Sequence, residues 1–306
     1  MNLVIKDMSE ELDILIVEAK QLLLKKGKQL TGTNFNSEVW PRGIFQGIDL
    51  SYANLSECDL SAVDCRKIIL QNAELQQSEM SSAILSSADL SGANLEGANL
   101  TKANLSRAKL TGANLTAANL TEANLTEADL TSANLTNAIL TKVTAPKAIF
   151  KGAILEVTNG RLADFSQCDF SDAKAAMANF ERATFTASLM TRMEAQGAIF
   201  EFADLRKVRM NIANFSGANL VGACLLDAQA AAAIFRDTDF YWAELETFVM
   251  ESCITVGARF PEPIIVAYGP AGVTPPYVKP QPLYRQAATE EEIQAMIKAA
   301  FEGAEA

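Results

Sequence analysis

The chain has 306 residues with 26 basic and 37 acidic side chains, a formal net charge of −11 and not one histidine. The missing imidazole removes the commonest acid–base group and metal ligand, and the acidic balance argues against nucleic acid as a direct ligand. Five cysteines with no C-x-x-C spacing fit a reducing compartment better than a disulfide framework.

In chain order, the first element is a helix expected over residues 8–26, within an N-terminal cap spanning 1–30. Asp7 to Glu10 resembles a capping box, Leu12, Leu15, Ile16, Ala19, Leu22 and Leu23 form a helical stripe, and Gly27 ends it. The stripe is too short and too charged to span a membrane, and no basic start with an apolar run and cleavage site precedes it. A cytoplasmic location is therefore expected.

From Phe35 to Phe260 an apolar residue recurs at nearly every fifth position through 46 consecutive pentapeptides, with a small residue two places before it. In the purest stretch, Ala83 to Leu140, all twelve centres are Leu and each is preceded at −2 by Ala, as in Ala93-Asn94-Leu95 or Ala123-Asn124-Leu125. A period of five fits neither helix nor strand and is the mark of a solenoid. Numbering the apolar centre 0, position −1 is often Asn or Asp and +1 often Ser or Thr. Such residues favour corners, and four corners close a square coil of twenty residues. Coils stacked about 4.8 Å apart would make a rod of about 55 Å. The +1 hydroxyls are expected to bond backbone at the corners. They are spread over four faces, which is not the flat array that an ice-binding surface needs.

Over residues 31–262 the chain resembles a pentapeptide-repeat protein of cyanobacterial type, with the motif A(D/N)LXX. The resemblance implies an all-β solenoid, a right-handed quadrilateral β-helix of about 11–12 coils with positions 0 and −2 inside. Volume exchange supports the inward assignment, within pentapeptides at Val63 with Cys65, Val143 with Ala145 and Met193 with Ala195, and between positions twenty apart on one face at Ala230 between Met210 and Met250. Ala173 with Ala175, and Thr158 with Gly160, are uncompensated. A distortion, marking a bend between two halves, is therefore expected near Val157-Thr158-Asn159-Gly160.

The last expected segment, 263–306, is a Pro-rich arm and a short amphipathic helix. Pro261, Pro263, Pro270, Pro275, Pro276, Pro280 and Pro282 stop the repeat. Thr289-Glu290-Glu291-Glu292 then opens a helix carrying Ile293, Met296, Ile297 and Phe301 on one side. This tail either folds back as a cap or grips a partner or a second copy.

No nucleophile elbow, phosphate-cradling loop or cleft motif is present, so a non-enzymatic protein with no cofactor and no metal is expected. Some pentapeptide-repeat proteins are acidic, dimerise through their C-terminal ends and occupy the DNA site of type II topoisomerases, protecting them from quinolones. The four faces here carry net charges of only −4, −1, −1 and −2. Duplex DNA of the same length carries about thirty. DNA mimicry is therefore the alternative to a scaffold that binds another protein. For that scaffold the candidate contacts are Phe202, Gly222 and Trp242, aligned at +2 twenty residues apart, with Val221, Tyr241 and Ile199 beside them and Gly222 as a notch. The patch is covered either by the chain's own tail or by a partner or dimer mate.

Overall fold

The computed structural model describes Asn34 and residues 45–261. The expected helices at 8–26 and 289–302, and the arm between repeat and tail helix, lie outside the described residues. Within them the chain winds into twenty-residue coils, each paired in parallel with the next: Asp49 with Ile69, Asn99 with Asn119, and so on to Asp239 with Arg259. At one place the pairing widens into two three-residue strands, β1 (Gln229–Ala231) and β2 (Val249–Glu251).

One pentapeptide shows why the motif reads as it does. The Asn119 N–H donates to the Ala98 carbonyl in the coil before (2.9 Å), while the Leu120 and Glu122 N–H groups donate to the Ile139 and Thr141 carbonyls in the coil after (2.7 and 3.0 Å). The Ala123 N–H closes the corner onto the Leu120 carbonyl (2.9 Å). That leaves Thr121, whose N–H donates to Oδ1 of Asn119 (3.0 Å). All five donors are thereby satisfied, as a buried or half-buried backbone requires.

The +1 hydroxyl does not bond backbone, contrary to expectation. Thr121 Oγ1 donates to the same Asn119 Oδ1 at 2.6 Å, and Thr101, Thr116, Thr126, Thr131 and Thr136 repeat the arrangement on Asn or Asp at −1. The backbone fifth donor already points at that oxygen, so the hydroxyl joins it there. Each corner is a four-residue turn with its third residue, position +2, in the left-handed region, as in a type II turn. Every +2 residue from Gly47 to Gly257 has φ between +52° and +73° except Thr247. There the hydroxyl of Thr247 instead receives the Asp227 N–H (2.6 Å).

Positions 0 and −2 fill the interior. Leu85 to Leu140 and their Ala partners are buried, and from Phe150 onward many centres are phenylalanines, several of which stack one coil apart. Phe150 lies parallel to Phe170 (centroids 4.7 Å, 3°), Phe165 stacks on Phe185 and Phe240 on Phe260. Polar residues at −2 are also paired: Thr158, Ser188 and Thr238 donate to the carbonyls of Leu135, Phe165 and Phe215 in the coil before (2.7, 2.7 and 2.8 Å).

The expected distortion at 157–160 does not occur. Asn159 pairs with both Ile139 and Asn179, and the Gly160 N–H donates to the Asn179 carbonyl at 2.7 Å. Compensation comes from the coil after: a Cβ on Gly160 would sit 2.7 Å from Phe180 and 3.3 Å from Phe165, so those rings occupy the missing side chain's volume. Volume is exchanged along the rod as well as across a pentapeptide.

Candidate functional site

The outer surface is four flat strips of −1 residues separated by four corner columns. In the corner after the Leu100–Phe240 strip, position +2 runs Lys102, Glu122, Lys142, Leu162, Arg182, Phe202, Gly222, Trp242. Its first half is a charge ladder, with Glu122 between Lys102 (3.7 Å) and Lys142 (3.8 Å). Its second half carries two aromatics, Phe202 and Trp242.

The sequence-predicted residues do converge there. The Phe202 N–H donates to the Val221 carbonyl and the Gly222 N–H to the Tyr241 carbonyl (both 2.9 Å), which fixes three successive coils in line. Ile199 pairs with Asn179 and Asn219 on the adjoining strip and is half-buried. Gly222 is not an open notch, however. A Cβ there would meet Phe202 Cδ1 and Cε1 at 2.5 Å, so the Phe202 ring lies across the glycine. Asn72 leans over Gly92 and Met177 over Gly197 in the same way: a +2 side chain leans toward the next coil. Ile293, Met296, Ile297 and Phe301 lie outside the described residues.

Trp242 is 66% exposed and stacks on Tyr241 (centroids 4.8 Å, 27°), and the Arg259 guanidinium sits over the Tyr241 ring, 4.0 Å from its centroid. Arg259 in turn reaches Asp239 at 3.5 Å. Arg182 approaches Phe202 at 5.7 Å. Cation–π contact and stacking hold these rings in place before any ligand arrives. Neither arginine is singled out by the sequence reading, although a signal existed. Tyr241 and Arg259 are 18 apart, the offset at which +1 side chains meet −1 side chains of the next coil, as in Gln71 with Asp89 and Thr186 with Asp204.

Elsewhere several acids meet a basic partner. Arg107 meets Glu127 at 2.8 Å, Arg192 clamps Asp172 at 2.6 and 2.8 Å, and Arg161 meets Glu181 at 3.0 Å. Hydrogen bonds from Arg192 and Arg107 hold the Asp172 and Glu127 carboxyls below their ordinary range. Cys58, Cys65, Cys168 and Cys253 are buried as expected, and burial pushes the Cys65 and Cys168 thiols up to about 12. Among the described residues no cluster of His, Cys, Asp or Glu could hold a metal ion, and no helix is long and apolar enough to cross a membrane.

The family model for pentapeptide repeats matches this chain in 8 copies over residues 44–86, 78–116, 118–156, 163–191 and 213–251. No curated protein matches. Among solved structures, the chain is similar to HetL, a pentapeptide repeat protein involved in heterocyst differentiation regulation from the cyanobacterium Nostoc sp. strain PCC 7120. That likeness has 25% identity, 78% of this chain and 92% of that one covered, and a TM-score of 0.29. It is also similar to Rfr23 from the cyanobacterium Cyanothece 51142 (29% identity, 43% and 96% covered, TM-score 0.27). QnrB1, a plasmid-mediated fluoroquinolone resistance protein, is similar at 16% identity, with 65% and 90% covered and a TM-score of 0.33. The family model spans more than half of the sequence, and the five-residue grammar it describes is the one that closes each corner here: the chain belongs to the pentapeptide repeat proteins, whose fold is the right-handed quadrilateral β-helix.

Proposed function

We propose that this protein is a non-enzymatic, cytoplasmic scaffold: a rigid rod that binds another protein through Phe202, Val221, Gly222, Tyr241 and Trp242, with Ile199 at the margin and Ile293, Met296, Ile297 and Phe301 of the tail as a second contact. The observation that carries this reading is Trp242. It is two-thirds exposed, yet it is stacked on a tyrosine that an arginine also covers. A large aromatic held in one orientation loses little conformational freedom on binding, which is what contact anchors require. DNA mimicry draws less support, because Glu122, Glu127, Asp172 and Glu181 are each met by a lysine or arginine. A mimic of the duplex needs acids left free to meet a cationic groove.

Native-host lysate passed over the immobilised full chain and over Trp242→Ala, read by quantitative mass spectrometry, tests the reading. A protein retained by the wild type should fall several-fold on the variant, while the two chains melt within a few degrees of each other, since an exposed side chain contributes little to folding. Equal retention would remove the patch from the contact. Topoisomerase subunits in both eluates would restore the alternative.

A further inference from the structure

The last described residue, Pro261, falls at the aromatic corner. Phe260 stacks under Phe240 with ring centroids 5.1 Å apart and planes within 5°, and Arg259 pairs with Asp239. The twenty-residue register therefore places Pro261 one coil beyond Tyr241, in the column that holds Phe202, Val221, Gly222 and Trp242. The residues after it combine prolines with a long uncharged run. From Pro263 to Val278 there are sixteen residues without a charge, beginning Pro263-Ile264-Ile265-Val266-Ala267-Tyr268, in a protein of which 21% is charged.

We propose that residues 263–268 dock in cis along the Phe202–Trp242 corner, so that the patch is occupied by the chain's own arm and a partner engages it by displacing that arm. Three observations converge on this occupant. The first is reach: from Pro261 to Phe202 is three coils, about 14 Å at the usual spacing of strands, which about five extended residues cover. The second is complementarity. The corner from Phe202 to Trp242 offers aromatic and small apolar surface, and a segment that opens on proline and has Ile264, Val266 and Tyr268 at alternate positions is a kind of ligand aromatic-lined surfaces take. An uncharged segment also gives up no ionic solvation when it lies down.

The third is direction. Corner side chains lean toward the next coil, as Asn72, Met177 and Phe202 do over their glycines. Beyond Tyr241-Trp242, the next residue in that column is Pro261, after which the arm begins in sequence. A tether this short gives an effective concentration on the order of millimolar, so a contact with an intrinsic Kd well below that stays mostly docked. The docking stands without the partner reading. The role of the arm as a competitor rests on it.

The test begins with limited chymotrypsin digestion of the full chain, monitoring cleavage after Tyr268 by intact mass. The double variant Phe202→Ala/Trp242→Ala leaves the arm unaltered and should raise that cleavage rate about threefold or more, as expected when an open state is cut and a docked one is not. An unchanged rate overturns the proposal. Wild-type cleavage should be the same across a hundredfold range of protein concentration. Slower cleavage at high concentration would assign the occupant to a second copy and overturn docking in cis. A second readout keeps the rod intact: in a Trp40→Phe background, Ile264→Asp/Val266→Asp should make Trp242 about twofold more quenchable by acrylamide. No change would again overturn the proposal. Neither readout uses a partner, so failure here and failure of the scaffold reading are separable.

Discussion

At the scale of the residue, the left-handed corner governs what the chain tolerates. An L-residue with a side chain costs about 1–2 kcal/mol in that region, and β-branched residues suffer most. Val157 and Ile212 nevertheless hold it at φ 58° and 61°. Val157 is 56% exposed and has little burial to lose. Val157→Asn should stabilise the rod by about 0.5–1 kcal/mol, because asparagine adopts this conformation readily, and chemical denaturation would show it as a higher midpoint at constant slope. Thiols offer a second check at this scale. Cys58, Cys65, Cys168 and Cys253 are buried, whereas Cys224 is half-buried beside Glu244. A thiol reagent added to the native protein should label one equivalent, slowly, since burial and then Glu244 raise the Cys224 pKa. The label should disappear in Cys224→Ser. More than one equivalent in the folded state would contradict the assigned burial.

At the scale of the coil, inward residues answer to neighbours above and below as much as to partners in their own pentapeptide. Gly160 is the sharpest case. Adding one methyl places carbon 2.7 Å from the Phe180 ring, and overpacking of a tight interior typically costs about 1–3 kcal/mol. Gly160→Ala should therefore lower the melting temperature by several degrees, and Phe180→Leu in the same chain should recover part of the loss. The sequence showed which side chains point inward, because small residues at −2 and apolar ones at 0, mostly Ala and Leu or Phe, recur in one unbroken register. It misled at Gly160, where pairing residues within a pentapeptide concealed a ring supplied from twenty residues later. It misled again at Thr121 and its equivalents. A hydroxyl next to a corner reads as a backbone ligand, while the Asn119 side chain that both the hydroxyl and the Thr121 N–H reach is visible only once the corner is built. The cation over Tyr241 was hidden for a related reason, since the 18-residue offset acquires meaning only from the closed square.

At the scale of the whole molecule, some of the charge on a chain of net −11 is paired between coils, as in Lys102–Glu122–Lys142 and Asp172–Arg192. Asp64, Glu127 and Asp172 all have pKa values lowered in the fold, each chiefly by a hydrogen bond from its arginine. A lowered folded pKa means that the unfolded chain takes up the proton first. The contribution is thus fully present above the ordinary carboxylate value near 4 and is lost as pH falls through the folded values below it. Melting temperature should stay nearly level from about pH 8 to 5 and drop below about 4, with the drop shallower at high salt as exposed pairs are screened. Arg192→Met should remove part of that acid sensitivity. A melting temperature that rises below pH 4 would contradict the ladder assignment.

A coil of twenty residues with four equal sides also makes position around the rod a matter of arithmetic. An insertion of twenty residues after Leu140 would add one storey and leave every column aligned. An insertion of five would preserve every local bond, yet turn everything downstream by a quarter, carrying Phe202 and Trp242 off the side they share with Lys102 and Glu122. Which features look out in the same direction is thus written in the remainder after division by twenty. The protein keeps its compass by counting.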